Sequence, residues 1–440
     1  MRSLGFVSQE IVLVMNRTLI SLNIVLLFSL ATFVHAEQRG SEQTNSAPNI
    51  CRQQTLTDGF FGLDDTLADT GIELELSTAQ IYQQNVRGGI STHRKTGRFS
   101  GSYDLELSAD LEKLLRIQGA RLYMLTEGSF SEGINGPSVG SFFGVNDDAA
   151  GDRSIDITEL WYEQSWFEQT LRIRLGKIDL TGGFEHHGCP VAFDCSAYAN
   201  DENAQFLNSA LVNNPAIPFP DNGLAIAAYY SPVDLWYISA AIADDQADAR
   251  ETGFRTAFND EDYFFYIFET GITPELNSAN GPLQGAYRAG LWYDPQPKER
   301  FSDGITCRDD TGFYISFDQM LCRENDNSED TQGLAAFGRY GWADSKVNEL
   351  ARFWSAGVQY QGLIPDRDDD VLALGFAQGI FSDDAADFTD DYESTLEIYY
   401  RADISPWLAL SPSAQYIANP GGDKSVGDAV VLGIRALMRF

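Results

Sequence analysis

Residues 428–440 read DAVVLGIRALMRF, and their side chains divide strictly between two faces. One face is wholly apolar and carries Val430, Leu432, Ile434, Ala436, Met438 and Phe440. The other face carries Arg435 and Arg439 beside small and apolar side chains. Because successive side chains of a β-strand point to opposite faces, this pattern predicts a strand with one apolar and one wetter face. A strand of this kind is typical of a transmembrane β-barrel, which has lipid outside and a polar interior.

The same alternation recurs from Gly71 onward, in segments of about nine to fifteen residues separated by turn-rich stretches. Clear examples are residues 71–77, 103–111, 171–175 and 393–401. A first count gives fifteen segments, which would place the two ends of the chain on opposite sides of a membrane. Taking residues 262–272 (DYFFYIFETGI) as a further strand gives sixteen. We therefore predict an all-β fold, a transmembrane antiparallel β-barrel of sixteen strands over residues 71–440.

The connections between these segments are of two kinds. Short turns are predicted at residues 167–169, 231–233 and 405–406, and such turns belong on the periplasmic side of a barrel. The longest connection without a strand pattern covers residues 181–221 and contains Pro215, Pro218 and Pro220. Loops of this length are usually functional or disordered. We expect this one to lie on the extracellular side and to fold inward, narrowing the lumen.

The amino-terminal residues precede the barrel pattern. An apolar run at residues 19–34 follows Arg17 and ends in Val34-His35-Ala36, which predicts a secretory signal peptide over residues 1–36. Met1 and Met15 are both candidate start residues. Residues 37–70 are predicted to form a periplasmic segment, with a short helix at residues 58–69.

Five cysteines suit an oxidising compartment. Cys189 and Cys195 lie close together in the long loop and are the best candidates for a disulfide. A strand is expected between Cys307 and Cys322, and about 10 extended residues would hold the two some 30 Å apart. A bond between Cys51 and Cys322 stays open.

The formal net charge is −34, which excludes nucleic-acid binding because that function needs a basic surface. Acidic pairs and runs occur in loop-like stretches, at residues 244–245, 368–370, 383–384 and 390–391. Each run is expected to be a solvated loop tip, and together they would repel anionic solutes. No phosphate-binding loop or glycine-rich dinucleotide motif is present, and the adjacent His186 and His187 lack the spacing of metal ligands. We predict no catalytic residue, no metal site and no cofactor.

Dispersed motifs resemble one family, the carbohydrate-selective porins of Gram-negative outer membranes. They are residues 71–74 (GIEL), 88–89 (GG), 159–164 (ELWYEQ), 175–179 (LGKID), 206–209 (FLNS), 285–293 (GAYRAGLWY), 318–319 (DQ), 337–341 (FGRYG), 396–400 (LEIYY), 415–417 (QYI) and 419–420 (NP). The chain departs from the family pattern at residues 62–65, where Gly-Leu is followed by Asp instead of Arg. The resemblance implies a sixteen-stranded barrel in the cell outer membrane that admits mono- and small oligosaccharides by passive diffusion.

The expected partners follow from that interpretation. They are carbohydrate solutes, outer-membrane lipid and lipopolysaccharide, and the barrel-assembly machinery, which would meet the last strand. The oligomeric state stays open. Two alternatives also remain: a general or cation-preferring porin, and a secreted soluble β-protein such as a lectin or a glycan-active enzyme.

A sugar channel needs polar groups that exchange hydrogen bonds with hydroxyls, and aromatic rings that stack on sugar faces. The candidates on inward-facing positions are Arg121, Tyr123, Glu127, Glu159, Trp161, Glu163, Arg172 and Arg174. Asn208 is added by resemblance to the family, and Arg94 and Lys95 could enter the lumen from the first loop. The alternative for each inward Glu or Arg is an ion pair that only holds the barrel wall. A register slip of one residue would instead place Trp161 in the outer aromatic girdle.

Overall fold

The computed structural model describes residues 53–181, 192–200, 205–258, 263–327 and 331–440. Within these residues the chain forms sixteen long strands. They are β1 (Ile72–Gly89), β2 (Gly97–Asp110), β3 (Ala120–Phe130), β4 (Arg153–Trp166), β5 (Leu171–Ile178), β6 (Gly223–Val233), β7 (Trp236–Asp244), β8 (Phe264–Ile272), β9 (Gly281–Asp294), β10 (Asp310–Arg323), β11 (Gly333–Ala343), β12 (Leu350–Gln361), β13 (Val371–Phe381), β14 (Tyr392–Ser405), β15 (Leu408–Ala418) and β16 (Gly427–Arg439). Short strands at Glu275–Ser278, Lys298–Glu299 and Thr306–Cys307 belong to the connections.

Each long strand pairs antiparallel with the next one along the chain. The last strand, β16, pairs antiparallel with β1, with Ser77 opposite Arg439 and Gln83 opposite Gly433. This pairing closes the sheet, so each of the sixteen long strands that the structure describes has a neighbour on both sides. The predicted sixteen-stranded antiparallel barrel is confirmed. The strand expected at residues 262–272 corresponds to β8, which begins at Phe264, and residue 262 lies outside the described ranges.

The two faces of the barrel wall differ in polarity. On β16, Leu432 and Ile434 are 47% and 45% exposed on the outer face, whereas the inward-facing Arg435 is only 2% exposed. Large apolar side chains are exposed on other strands too, for example Leu291 on β9 and Ile315 on β10. So much exposed apolar surface would be unfavourable in water. An apolar outer wall around a polar interior is the arrangement of a barrel in a lipid bilayer.

The short turns after β4, β6 and β14 lie at one end of the barrel, called here the turn end. The longest connection, between β5 and β6, lies at the other end, the loop end. The turn between β4 and β5 contains Phe167, Glu168 and Gln169 with φ of 53°, 56° and 69°, as predicted for that position. The turn between β14 and β15 consists of Pro406 and Trp407 and overlaps the prediction at residues 405–406. The turn predicted at residues 231–233 is wrong, because these residues are the end of β6 and the chain reverses just after them. Pro232 lies where the register with β7 shifts, and such an irregularity tolerates a residue without an N–H.

The segment before the barrel contains helix α1 (Asp58–Thr70). Its first turn is not right-handed, since the four residues Gly59, Phe60, Phe61 and Gly62 have positive φ. The segment is tied to the closing strand, because the Leu56 N–H donates to the Arg439 carbonyl at 2.9 Å. The other helices are α2 (Leu111–Leu115), α3 (Ser209–Val212) and α4 (Phe254–Ala257), with a π turn at Asn135–Val139 and a 3-10 turn at Pro420–Gly422. No helix within the described ranges is long and apolar enough to cross a bilayer.

Several predictions fall on residues outside the described ranges. These are the signal peptide at residues 1–36, the two possible start residues, Cys51, Cys189 and the pair His186 and His187. The Cys189–Cys195 disulfide therefore stays a prediction. Cys307 lies just before β10 and Cys322 lies near its end, and the two are not bonded to each other, as expected.

The long connection predicted at residues 181–221 runs between Ile178 at the end of β5 and Gly223 at the start of β6. Its described parts are largely buried. Phe193 packs against Tyr229 of β6, and Phe206 packs against Phe337 of β11 and Tyr399 of β14. These partners belong to strands on distant parts of the barrel wall, so the described parts of the loop lie against the inner face of the wall.

Candidate functional site

Three neighbouring strands bring the predicted residues of the wall together. In the pairing of β3 with β4, Tyr123 lies opposite Trp161 and Arg121 lies opposite Glu163. In the pairing of β4 with β5, Glu163 lies opposite Arg174. Since residues two apart on a strand share a face, these pairings place the aromatic and charged side chains on one inward-facing patch.

The centre of this patch is a stack of two rings and one guanidinium group, Tyr123, Trp161 and Arg174, called here the aromatic stack. The ring centroids of Tyr123 and Trp161 are 4.8 Å apart, and their planes differ by 21°. The Cζ atom of Arg174 lies 3.7 Å from the Trp161 ring centroid. Offset stacking and cation–π contact are both favourable at these distances. The girdle alternative for Trp161 is wrong, since its side chain is only 3% exposed and faces the lumen.

Charged neighbours hold the stack in place. The Glu163 carboxylate forms two salt bridges, one with Nη2 of Arg172 at 2.9 Å and one with Nη2 of Arg174 at 2.9 Å. Glu159 accepts a hydrogen bond of 3.0 Å from Nε1 of Trp161. All of these side chains are nearly inaccessible to solvent, so they fix the orientation of the Arg174 guanidinium. For Glu163 and Arg172, the arrangement matches the alternative to a sugar-binding role, namely an ion pair that holds the barrel wall.

The patch opens onto a cavity of about 790 Å³ inside the barrel. Six of the nine predicted residues line this cavity: Arg121, Tyr123, Glu127, Glu159, Trp161 and Arg174. Tyr123 donates its hydroxyl to Glu106 at 2.9 Å, and Glu106 also lines the cavity. Glu163 and Arg172 are buried behind the stack. Arg94 and Lys95 are exposed in the first loop and do not line the cavity.

Asn208 takes a different place from the one predicted. It is fully buried and caps helix α3, accepting a hydrogen bond of 3.1 Å from the Ala210 N–H. Its Nδ2 donates to the Gln415 side chain at 3.1 Å. The N–H groups of Leu207 and Asn208 both donate to the carboxylate of Glu397, at 3.0 Å and 2.9 Å. Asn208 therefore positions the loop and does not line the cavity.

A set of inward-facing charged residues that the sequence analysis did not identify holds the loops. We call them the wall anchors, and they are Glu269, Asp318, Arg339, Glu393 and Glu397. Glu269 accepts from the N–H of Asp194 at 2.8 Å, and Asp318 accepts from the N–H of Ala197 at 3.1 Å. Alternation places all of these side chains inward, but nothing in the sequence indicates which loop each one meets.

Two wall anchors make several contacts each. Arg339 donates to three carbonyl groups of the long loop, those of Asp194 at 3.2 Å, Ala199 at 3.0 Å and Leu211 at 2.6 Å. Glu393 accepts from the N–H groups of Phe142 at 2.8 Å, Phe143 at 3.4 Å and Gly421 at 2.5 Å. Hydrogen bonds that involve a charged partner are stronger than neutral ones, so these loops are firmly attached to the wall.

The cavity has an acidic lining. Nine of its lining residues carry a carboxyl group, namely Glu75, Asp104, Glu106, Glu127, Asp147, Asp148, Asp156, Glu159 and Asp179. Five carry a guanidinium group, namely Arg121, Arg153, Arg174, Arg250 and Arg435. Charges that line a confined space raise the local concentration of ions of opposite sign. The lining therefore favours cations and neutral solutes over anions.

One motif of the chain could suggest other chemistry. The pentapeptide at residues 136–140 (GPSVG) has the spacing of a hydrolase nucleophile motif. Its Ser138 is fully buried, donates its hydroxyl to the Ser91 carbonyl at 2.7 Å and lies on a π turn, not on a strand-to-helix turn. In the described part of the chain, no group of three or more His, Cys, Asp or Glu side chains is placed to hold a metal ion.

Sixteen antiparallel strands, an apolar outer wall and a polar lumen with loops attached to its inner face define the class of protein: a porin-type β-barrel. The family model for "Carbohydrate-selective porin, OprB family" matches residues 94–440. The chain therefore belongs to the carbohydrate-selective porin family.

Individual relatives agree with this assignment. Porin B of Pseudomonas aeruginosa is 24% identical over 409 residues, which cover 84% of this chain and 87% of that protein. The putative porin QuiX of Acinetobacter baylyi is 23% identical over 316 residues, which cover 64% of this chain and 69% of that protein. The high-pH structure of Pseudomonas putida OprB has the same fold, with a TM-score of 0.76 and 20% identity over 89% of this chain and 99% of that one. The low-pH structure of that protein gives a TM-score of 0.57.

Proposed function

We propose that this porin passes mono- and small oligosaccharides across the outer membrane by passive diffusion, and that the aromatic stack is their binding platform. The observation that carries the proposal is the position of the stack on the wall of a polar cavity inside the barrel. Family membership supports the class of solute.

The geometry indicates how a sugar would be held. Trp161 is only 3% exposed, so it backs Tyr123, and the half-buried ring of Tyr123 is the aromatic surface offered to the lumen. The C–H face of a pyranose would lie on this ring. Its hydroxyls would exchange hydrogen bonds with carboxylates and guanidinium groups of the lining, such as Glu106 and Arg121. The inward-lying parts of the long loop would narrow the passage beside the stack.

No chemical step is needed for this function. Ser138, the one serine in a hydrolase-like pentapeptide, is enclosed by the chain and bonded to a backbone carbonyl. We therefore propose a channel without enzymatic activity.

The location and partners belong to the same proposal. The apolar outer wall suits the lipid of the outer membrane, including lipopolysaccharide. The signal peptide at residues 1–36 would direct export, and β16 would be the segment offered to the barrel-assembly machinery. Fractionation of expressing cells tests the location, and recovery of the protein in the soluble periplasm would contradict it.

The acidic lining favours a second candidate function, that of a cation-preferring porin in which sugar binding matters less. Reversal potentials across a salt gradient measure the ion preference, and block by sugars measures the sugar preference. A strong cation preference without any sugar block would support the second candidate over the first.

The decisive experiment is the conductance of single refolded channels in a planar bilayer, titrated with a panel of neutral sugars. Saturable block by some of these sugars is expected. Folding is checked beforehand by heat-modifiable mobility on a gel. Open channels whose current is unchanged by every sugar, from protein shown to be folded, would contradict the sugar proposal.

A further inference from the structure

A second polar space lies at the turn end of the lumen, away from the aromatic stack. Two adjoining cavities of about 280 Å³ and 370 Å³ share the residues Asp369, Arg401 and Asp403. We call the smaller one the turn-end cavity. The larger one also contains Leu437, which in turn lines the cavity beside the aromatic stack. The larger cavity thus shares lining residues both with the cavity beside the aromatic stack and with the turn-end cavity.

The turn-end cavity has a wall of strands and a cover of loop. Strands β12 and β14, which lie on either side of β13, contribute Gln359, Gln361 and Tyr399 from their inward faces. The long loop contributes Ala197 and Gln205. Three amide side chains and a phenol therefore line a space of small-molecule size. The Gln205 amide already bonds Asn200 and Ala197, and the Gln361 amide donates to Thr331 at 2.8 Å, so Gln359 and the phenol are the groups best placed to serve a ligand.

Two polar atoms at this cavity lack a hydrogen-bond partner among the described residues. They are the Tyr399 hydroxyl and Oε1 of Gln359. Tyr399 is only 2% exposed, and its ring is held edge-to-face against Phe206 at a centroid distance of 5.0 Å. A buried polar group without a partner costs roughly 1–3 kcal/mol, so such groups are expected to meet a partner in the working protein.

An ion pair completes the wall. Arg401 faces Asp403 through two hydrogen bonds of 3.0 Å, and the two side chains are 20% and 22% exposed. The pair is fixed from the turn side, because the Asp403 N–H donates to Asp370 at 3.0 Å and Asp370 binds Arg367 at 2.7 Å. The pair presents donors and acceptors with little net charge, and Asp369 adds one further carboxylate to the lining. This suits a neutral ligand with several hydroxyls better than an anion.

We propose that the turn-end cavity is a second subsite for neutral sugars, built from amides, the Tyr399 hydroxyl and the Arg401–Asp403 pair. This inference rests on the proposed function and adds to it. A sugar that leaves the aromatic stack would meet a second set of hydrogen-bonding partners before it leaves the barrel. Weak sites in series allow a solute to bind and still move on.

The test uses the full-length channel in a planar bilayer, with D-glucose as the probe on both sides. Tyr123→Ala weakens the platform of the aromatic stack, and we expect a residual saturable block to remain. Adding Tyr399→Phe and Gln359→Leu removes two polar groups with little change in volume. The apparent dissociation constant of the residual block should then rise about threefold or more, which corresponds to the loss of one or two hydrogen bonds. Tyr340→Phe, on the outer face of β11, is the matched control and should leave the residual block unchanged.

The outcomes separate the two proposals. If Tyr123→Ala alone removes all block, the channel has one subsite, so this inference is overturned while the proposed function stands. If the residual block is unaffected by Tyr399→Phe and Gln359→Leu in channels shown to be folded, the inference is also overturned. If the wild-type channel shows no block by any sugar, the proposed function itself fails.

Discussion

At the scale of single residues, one carboxylate holds two guanidinium groups. Glu163 binds both Arg172 and Arg174, and its side chain is 7% exposed. Arg174 in turn lies over Trp161. Burying charges is unfavourable unless they are paired, so removing one partner leaves the others buried without compensation. The position of the aromatic stack therefore depends on a residue behind it.

We predict that Glu163→Gln lowers both stability and sugar affinity. The change leaves two buried cations with a neutral acceptor, and breaking a buried pair typically costs about 3–5 kcal/mol. The urea midpoint of unfolding and the dissociation constant for sugar block measure the two effects. Asp303→Asn, which breaks the exposed Arg300–Asp303 pair at 3.3 Å, is the control and should change neither by much. If Glu163→Gln has the same urea midpoint and the same dissociation constant for sugar block as the wild type, the ion pairs of Glu163 do not position the aromatic stack.

At the scale of the strands, the approach of β4 and β5 depends on a glycine. Gly176 has φ of 143°, and a Cβ atom placed on it would lie 2.3 Å from the Leu160 carbonyl oxygen and 2.7 Å from Cα of Trp161. Both contacts are with backbone, which cannot move aside without shifting a strand. A glycine here lets the two strands carry Trp161 and Arg174 into contact.

Gly176→Ala should therefore disturb the site directly. We expect a lower yield of folded barrel or, in the molecules that fold, a weaker block by sugars because β5 is pushed away from β4. Heat-modifiable mobility and single-channel titration are the measurements. Gly427→Ala is the matched control, since a Cβ atom there would have no heavy atom within 4 Å. Equal behaviour of the two variants would contradict the explanation.

At the same scale, the wall anchors decide where the long loop lies. Glu397 accepts two hydrogen bonds from the loop, one from the N–H of Leu207 and one from the N–H of Asn208. We predict that Glu397→Ala frees this part of the loop, because two buried N–H groups lose their acceptor. Single-channel current should become noisier and its block by sugars weaker, and amide exchange near Leu207 should be faster.

The control for that variant is Glu349→Ala, at an exposed position of the loop end. It removes a carboxylate of the same kind without touching the long loop. Unchanged exchange at Leu207 in Glu397→Ala would show that the other wall anchors hold the loop without Glu397.

At the scale of the whole molecule, the charge is strongly negative and part of it lines the lumen. The formal net charge is −34, and carboxyl groups outnumber arginines along the large cavity. We predict a preference for cations that weakens as salt rises, because the Debye length falls from about 10 Å at 0.1 M to about 3 Å at 1 M. Reversal potentials measured at low and high mean salt check this. A preference that does not change with salt would point to a specific ion site instead of the general field.

Part of this architecture is determined by the sequence alone. The direction of a side chain in a strand depends only on whether its position is odd or even, so alternation predicts the strands and their apolar outer face. The same rule places Tyr123, Trp161 and Arg174 on the inner face, and six of the nine predicted residues line one cavity. Turn positions were less predictable: Pro232 suggested a turn, yet it lies in β6, because a register shift can accommodate proline.

The tertiary structure alone decides which inward-facing groups meet. Glu397 holds an N–H group 190 residues away in the chain, and Asn208 meets Gln415 at a separation of 207 residues. Such contacts depend on the closure of β1 on β16, on the stagger of the strands and on where the described parts of the loop meet the inner face of the wall. None of these three features produces a periodic pattern in the local sequence. The sequence by itself therefore determined the barrel and the inward set of residues, whereas the folded chain decided which of them bind the loops, which form the aromatic stack and which line the turn-end cavity.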